Sequence, residues 1–170
     1  MTSIETANYL IRLLDPCDPD ELREAQKLRY DFLLKEFDQE KNDLDGLDDD
    51  GYDAYTDSIV AIDKRTGRIV GTYRLATART LKGHPYKTEE EFDISALKND
   101  PDGIVEAGRA VVHGDYRNGT VIGLLKAYLM MGAKVSQNGF IDYEFNCCDV
   151  MTILDCMNLN ERFMKRFLGG

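Results

Sequence analysis

The chain has 170 residues, 43% of them hydrophobic, which is enough for one core and makes a single domain over 1–170 the expectation. Its net charge of -10 at pH 7 argues against a nucleic-acid-binding protein, because neutralising phosphates requires a basic surface. No stretch approaches the roughly 20 apolar residues that cross a bilayer, and Met1–Leu10 lacks the pattern of a secretory signal. These features predict a cytoplasmic protein.

Elements in the first half of the chain follow its apolar periodicity. Tyr9–Leu14 alternates and is predicted as a strand, and a helix then begins near Asp18 or Asp20 and ends near Phe37. Asp38–Asp57 is predicted as a long loop of the kind that is commonly functional. A β-hairpin comes next, with strands Ser58–Asp63 and Arg68–Thr77 around a turn at Arg65-Thr66-Gly67.

The second half of the chain begins with a polar excursion, Arg79–Asp100, which holds a short helix at Ser95–Lys98. The remaining predicted elements are strand Ile104–His113, turn Gly114–Gly119, helix Val121–Lys134, strand Phe140–Val150 and a helix from Met151 or Thr152 to Leu168. This order predicts an α/β (α+β) fold in which helices pack on a mixed sheet.

The four cysteines give no sign of metal or nucleophile chemistry. They show no paired zinc spacing, and two are adjacent in an apolar segment, so buried reduced thiols are expected. No basic neighbour in the sequence would lower a thiol pKa, which disfavours cysteine catalysis. The four are Cys17, Cys147, Cys148 and Cys156.

A strand is predicted to run into a helix at Tyr116–Thr120. Arg117 supplies a guanidinium there, Gly119 permits close approach of the backbone, and the amides at a helix start suit phosphate. Asn118-Gly119 is also an ordinary turn and Thr120 an ordinary helix cap, so a purely structural role stays open.

The strand before that turn contains Glu106-Ala107-Gly108-Arg109. In a regular strand Glu106 and Arg109 would face opposite sides of the sheet. Gly108 permits a bulge, which could turn both side chains towards one cleft. A surface ion pair at a strand edge is the alternative.

The acidic run Asp48–Asp53 has some features of a cation site, because alternating Asp residues before Gly are typical of calcium loops. Counting back from Gly46 or Gly51 puts Lys41 or Gly46 at the first ligand position, and no full set of ligands is present. No metal site is therefore predicted, and a solvated loop and a functional loop both stay open.

Four motifs in order and spacing resemble one family. They resemble the acyl-carrier-protein-dependent N-acyltransferases of the Gcn5-related (GNAT) class, a group that includes the acyl-homoserine-lactone (autoinducer) synthases and the ornithine-lipid and N-acyl amino acid synthases. The similarity runs from about Leu28 to Leu125. The motifs are Leu28-Arg29-Tyr30 with Phe32 and Glu36, Asp50-Gly51-Tyr52-Asp53, Gly71-Thr72-Tyr73-Arg74-Leu75 and Glu106-Ala107-Gly108-Arg109.

The resemblance implies a Gcn5-related acyltransferase fold, whose splayed mixed sheet receives a pantetheine arm. It implies no tightly bound cofactor and an acyl-phosphopantetheine thioester, on an acyl carrier protein or coenzyme A, as co-substrate. Arg117, Asn118, Gly119 and Thr120 fall on the phosphate-binding turn but keep only part of the Gly-rich pattern of coenzyme-A users, which favours the carrier protein. The functional or structurally critical positions of the lactone-synthase group fall on Arg29, Asp50, Asp53, Arg74, Glu106 and Arg109.

The resemblance also suggests a division of roles. Glu106 would accept a proton from the incoming ammonium, while Arg109, Arg29 and Arg74 would hold the acceptor's carboxylate or brace the acidic loop. Leu124, Leu125, Tyr128, Met130 and Met131 would line an acyl slot or belong to the ordinary core.

Ile141–Val150 departs from the lipid-synthase pattern, and the last strands of the fold are expected to be missing. Substrate identity is therefore the part that the resemblance predicts least. Two alternative functions stay open: a catalytically silent module that binds a carrier protein or small ligand, and a lactone synthase. Contact with a membrane through a lipid product and formation of a homo-oligomer also stay open.

Overall fold

The computed structural model describes residues 3–5, 7–35, 45–100, 103–116, 134–142 and 147–155. The chain divides into two compact units, Met1–Tyr116 and Arg117–Gly170. In the described ranges no helix is both long and apolar enough to cross a bilayer.

The first unit is built on a five-stranded antiparallel sheet whose spatial order follows the chain. The predicted strands are confirmed with small shifts at their ends. The first strand was not predicted, because three residues are too few to show an alternating pattern. The strands are β1 (Ser3–Glu5), β2 (Tyr9–Leu13), β3 (Asp57–Asp63), β4 (Ile69–Thr77) and β5 (Val105–Val112).

Helix α1 (Pro19–Arg29) packs on this sheet and continues as a π-helical turn, Tyr30–Leu34. The Asp18 carboxylate accepts hydrogen bonds from the amides of Asp20 and Glu21, so the predicted cap is confirmed. The described part of the helix ends at Lys35, and the predicted end near Phe37 lies outside the described residues.

The polar excursion between β4 and β5 contains two short helices, α2 (Ala78–Leu81) and α3 (Ser95–Lys98), and the second was predicted. A 3-10 turn, Lys87–Glu90, lies between them. Two more 3-10 turns, Tyr52–Tyr55 and Gly114–Tyr116, flank β3 and β5.

In the second unit, β6 (Lys134–Asp142) pairs with β7 (Cys147–Ile153) in an antiparallel hairpin. The prediction of a single strand over Phe140–Val150 is therefore wrong, and so is a helix that begins at Met151 or Thr152. Short apolar runs fit either structure, and the pairing of Ile153 with Lys134 decides for a strand. Lys134, predicted as the last residue of a helix, is likewise in a strand, and the rest of both helices lies outside the described residues.

A hydrophobic core joins α1 to the sheet of the first unit. Leu28 is 6% exposed and Val60 is fully buried. Both belong to a cluster that also contains Ala25, Ile69 and Val111, with Leu14, Phe32, Leu33 and Ile62 packed against it. This contact fixes the position of the C-terminal end of α1 over the sheet.

We expect Leu28→Ala to lower the free energy of unfolding by about 2 to 5 kcal/mol, because it removes buried methyl groups and leaves a cavity. Leu13→Ala is the control, since Leu13 is 36% exposed, and it should cost no more than about 0.5 kcal/mol. Urea unfolding followed by circular dichroism measures both. Equal losses would contradict the assignment of Leu28 to the core.

Candidate active site

Arg29, the last residue of α1, is fully buried and reaches the acidic loop. Its Nε donates to Asp48 Oδ2 at 2.8 Å, and its Nη2 donates to the Asp48 carbonyl at 2.9 Å. The same Nη2 donates to Asp53 Oδ2 at 2.5 Å, and Gln26 Nε2 donates to that oxygen at 3.1 Å. The guanidinium of Arg29 therefore binds the loop at two residues, Asp48 and Asp53.

Arg74 on β4 binds a third residue of the loop, Asp50. Its Nη1 and Nη2 donate to the two carboxylate oxygens of Asp50, both at 2.9 Å, which is the bidentate geometry that Arg favours. Its Nη1 also lies 3.6 Å from Asp53 Oδ1. Burial disfavours both charges, but the hydrogen bonds between the partners outweigh it, holding the pKa of Asp50 below and that of Arg74 above their usual values.

The bulge predicted beside Gly108 is confirmed. Thr72 pairs with Val111 and Arg74 with Gly108, so β5 carries one extra residue between these pairs. Arg109 itself, and not the glycine, has a φ of 51° in the left-handed region. A non-glycine residue held there is strained by about 1 to 3 kcal/mol, a cost that tertiary contacts must offset.

The strained backbone points the Arg109 side chain at the same loop. Its Nε lies 3.2 Å from Asp48 Oδ2 and its Nη2 lies 3.6 Å from Asp50 Oδ2. Three guanidinium groups thus meet three carboxylates, and the charges balance. We call this set the Arg–Asp network: Arg29, Arg74, Arg109, Asp48, Asp50 and Asp53.

The structure brings together all the arginines and loop aspartates that the resemblance singled out. Arg29, Arg74 and Arg109 were predicted either to hold the acceptor's carboxylate or to brace the acidic loop. Their observed contacts are with the acidic loop. Three aspartates of that loop, Asp48, Asp50 and Asp53, are paired with arginines.

Asp48 was missed as an individual functional residue. It is 3% exposed and pairs with both Arg29 and Arg109. Three consecutive aspartates carry no periodic pattern, so the sequence does not show that the first is buried while Asp49 is exposed. The only signal in the sequence that one of these aspartates is buried was Arg29 in the preceding helix, which needs a negatively charged partner.

Glu106 lies apart from the Arg–Asp network, in a half-buried position on β5. Its Oε2 is 3.5 Å from the amide of Thr88 in the excursion. Burial raises the pKa of the Glu106 carboxyl, although the amides of Thr88 and Lys87 and the charge of Arg74 oppose the shift. A raised pKa suits a group that exchanges protons near neutral pH.

Tyr52, also not singled out as a site residue from sequence, connects the loop to the excursion that contacts Glu106. Its hydroxyl donates to the Pro85 carbonyl at 2.8 Å, and its ring centroid lies 5.0 Å from Arg74 Cζ and 5.5 Å from Lys87 Nζ. Burial and the nearby Glu106 carboxylate raise the pKa of Tyr52 to about 12, so the hydroxyl stays a donor at neutral pH. The tyrosine therefore fixes the excursion against the loop.

A surface depression of about 240 Å³ lies between the same two segments. The rings of Tyr55 and His84 stack across it with centroids 3.8 Å apart. It is lined by Asp50, Gly51, Tyr52, Tyr55, His84, Pro85, Lys87 and Glu90.

Several predicted residues lie outside the described part of the chain. These are Glu36, the phosphate-binding turn Arg117, Asn118, Gly119 and Thr120, and the predicted acyl-slot residues Leu124, Leu125, Tyr128, Met130 and Met131. Their roles stay predictions.

We expect Asp50→Asn to lower the free energy of unfolding at neutral pH by about 1 to 3 kcal/mol, because a charged bidentate contact with Arg74 is lost. The folded pKa of Asp50 is depressed, so its contribution is present above the unfolded pKa of about 3.9 and disappears as pH falls through the folded pKa. The two unfolding curves should therefore converge in acid.

Urea unfolding at a series of pH values measures this convergence. Asp49→Asn is the matched control, since Asp49 is exposed and its Oδ1 accepts only from the Gly51 amide at 3.1 Å among the described contacts. A gap between Asp50→Asn and the unchanged protein that is the same at all pH values would contradict the assignment.

Three comparisons place this geometry among known proteins. Residues 28–127 match the family model described as the acetyltransferase (GNAT) domain. The L-ornithine N(alpha)-acyltransferase of Rhodobacter capsulatus is 30% identical over 127 residues, which is 69% of this chain and 48% of that protein. The chain thus spans about half the length of that curated relative.

The crystal structure of the AHL synthase LasI has the same fold, with a TM-score of 0.56 and 16% sequence identity over 86% of this chain and 89% of that chain. The mixed architecture with an antiparallel sheet and a packed helix confirms the predicted fold class. The family match covers the network, Tyr52 and Glu106 together. By that match, the chain belongs to the acetyltransferase (GNAT) domain family.

Proposed function

We propose that this protein is an N-acyltransferase that moves an acyl group from the phosphopantetheine thioester of an acyl carrier protein to the amine of a small acceptor, such as an amino acid. The observation that carries the proposal is the half-buried carboxylate of Glu106, which lies three residues before the bulge at Arg109 on β5, the outermost strand of the sheet among the described residues. Family membership and the activity named for the ornithine-acylating relative support it.

The reaction needs a base, because an amino acid carries an ammonium group at neutral pH and an ammonium cannot attack. Glu106 accepts one of its protons, directly or through a water molecule. The amine nitrogen then forms a bond to the thioester carbonyl carbon, the carbon–sulfur bond breaks, and a second proton from nitrogen neutralises the departing thiolate. A backbone amide at the bulge donates to the carbonyl oxygen while it carries negative charge.

The Arg–Asp network acts indirectly in this proposal. Its arginines neutralise the carboxylates of Asp48, Asp50 and Asp53, so these three do not compete with Glu106 for the acceptor's ammonium. Through Tyr52 the loop also holds the excursion whose Thr88 amide contacts Glu106. Both effects position the base; neither requires the network to touch a substrate.

The carrier protein is preferred to coenzyme A as donor because Arg117–Thr120 keeps only part of the Gly-rich phosphate pattern. The similarity to the LasI structure supports the fold alone and does not select the lactone-forming reaction.

Glu106→Gln should abolish most turnover and leave folding intact, because the amide keeps the shape of the side chain but accepts no proton. The loss should be about 100- to 10,000-fold in kcat. In the unchanged protein, turnover should fall as acid protonates Glu106, with a midpoint above the ordinary glutamate pKa of about 4.3.

The measurement is mass spectrometry of N-acyl products after incubation with acyl carrier proteins loaded with short, medium and long chains and pooled amino acids. Glu5→Gln is the control, because Glu5 is an exposed glutamate on β1 that pairs with Lys64, away from the candidate site. Product formation by Glu106→Gln at the full rate would disprove the base assignment. No product from the unchanged protein with any donor would favour a catalytically silent binding module.

Tyr52→Phe should lower kcat by roughly 10- to 100-fold with little change in KM, because it releases the Pro85 carbonyl and lets the segment that contacts Glu106 shift. Tyr55→Phe is the matched control, since no hydrogen bond joins the Tyr55 hydroxyl to a described residue. If both variants keep full activity, Tyr52 does not position the base. If both lose activity equally, the hydroxyl of Tyr52 is not the cause.

A further inference from the structure

An amino acid acceptor carries a carboxylate, and the Arg–Asp network has no net positive charge with which to bind it. Arg29, Arg74 and Arg109 face three carboxylates of the acidic loop, so the charges of the network cancel. A fourth carboxylate placed there would meet three like charges at short distance in a buried position, where they repel strongly. The carboxylate of the acceptor therefore needs another cation that lies close to Glu106.

The surface depression beside Tyr52 has such a cation. Lys87 is the only residue with a permanent positive charge among the described residues that line it. The Lys87 Nζ lies 5.5 Å from the centroid of the Tyr52 ring. The volume of about 240 Å³ is smaller than the roughly 300 to 1,000 Å³ of pockets that bind drug-sized ligands, so the depression suits a molecule as small as an amino acid.

The backbone of Lys87 lies next to the proposed base. Burial raises the pKa values of Glu106 and Tyr52, and the Lys87 amide opposes both shifts because it lies close to the two side chains. The neighbouring Thr88 amide is 3.5 Å from Glu106 Oε2. An α-amino acid carries its carboxylate one carbon away from its amine. A lysine at this position, with its flexible four-carbon stem, can therefore reach the carboxylate of an acceptor whose amine is at Glu106.

The present ion pair of Lys87 is easily exchanged for another. Its Nζ lies 3.0 Å from Glu90 Oε1, and Glu90 is exposed. Exposed ion pairs of this kind contribute little to stability, because water solvates both groups when they separate. The Lys87 ammonium can therefore turn to an incoming carboxylate while Glu90 stays in water.

One wall of the depression is aromatic. The rings of Tyr55 and His84 lie 3.8 Å apart, with an angle of 31° between their planes. The Tyr52 hydroxyl donates to the carbonyl of Pro85 and so fixes the backbone next to His84. An ordered aromatic wall can cover the carbon atoms of a small acceptor while its charged end meets a lysine.

We propose that this depression is the acceptor site and that Lys87 binds the carboxylate of an α-amino acid there; this inference rests on the proposed function. The ammonium donates charge-assisted hydrogen bonds to the carboxylate, which places the acceptor's amine at Glu106. Lys87 thereby distinguishes α-amino acids from simple amines. The contact is the same in the ground state and the transition state, so it lowers KM and leaves kcat little changed.

The test compares L-α-amino acids with their α-carboxamides, which keep the amine and the side chain but lack the negative charge. The panel includes apolar, polar, acidic and basic side chains. Lys87→Met should raise KM for the amino acids by about 10- to 100-fold with little change in kcat, and it should leave KM for the carboxamides unchanged. Lys87→Arg should recover part of the loss, because it restores the positive charge.

Lys64→Met is the matched control. Lys64 lies directly after β3 and pairs with Glu5, and these side chains are 39% and 64% exposed, compared with 40% and 63% for Lys87 and Glu90. The control removes the same charge from an equally exposed ion pair away from the depression, so every KM should stay the same. Thermal unfolding checks that each variant folds.

Calorimetric binding of the same panel without an acyl donor separates the acceptor site from the proposed reaction. The unchanged protein should bind amino acids more tightly than carboxamides, and Lys87→Met should abolish the difference. This binding pattern without product from any donor overturns the proposed reaction alone.

Three results overturn the acceptor site while the reaction stands, provided that N-acyl products form. The first is an unchanged protein that shows no preference for amino acids over carboxamides, in binding or in KM. The second is a Lys87→Met variant that treats amino acids and carboxamides as the unchanged protein does, or that weakens both equally. The third is an equal effect of Lys64→Met, since net charge would then explain the loss.

Discussion

Burying a guanidinium group costs several kcal/mol unless opposite charges and hydrogen bonds replace the lost water, and this fold buries one completely. Arg29 has no exposed surface, so the acidic loop must return to the end of α1 with its carboxylates correctly placed. The same loop then receives Arg74 from β4 and Arg109 from the neighbouring strand β5. Charge compensation thus ties the helix, the loop and two strands together at one place.

The bulge of β5 depends on the same charge compensation, because Arg109 lies in it. The strain of Arg109 in a left-handed conformation is offset where its guanidinium meets two loop carboxylates. The bulge interrupts the regular ladder between β4 and β5 just after Gly108, while Glu106 stays in the regular part of the ladder, opposite Ala76. Local backbone geometry and loop position therefore support each other, and Glu106, the carboxylate proposed as the base, lies on the same strand as the bulge.

Four of the five strands of the first unit, the capped helix and the bulge were predicted from the sequence, because each has a local signal. The signals are alternation, Asp18 before a periodic run, and Gly108 inside a strand. The family resemblance identified five residues of the Arg–Asp network from the sequence alone: Arg29, Asp50, Asp53, Arg74 and Arg109. Asp48 and Tyr52 escaped notice as site residues because burial within an Asp-rich loop depends on tertiary contacts alone. The hairpin of the second unit was predicted as a strand and a helix. A short apolar segment fits either structure, and only its pairing with another strand decides between them.

The balance of three arginines against three aspartates restricts how this protein can change. Losing any one member leaves its buried counterpart without compensation, so tolerated substitutions at these positions have to occur in pairs. Exchanging a single arginine of the network should therefore lower the stability of the fold first. Substitutions are accommodated more readily around His84, which lines the open depression and lies outside the Arg–Asp network.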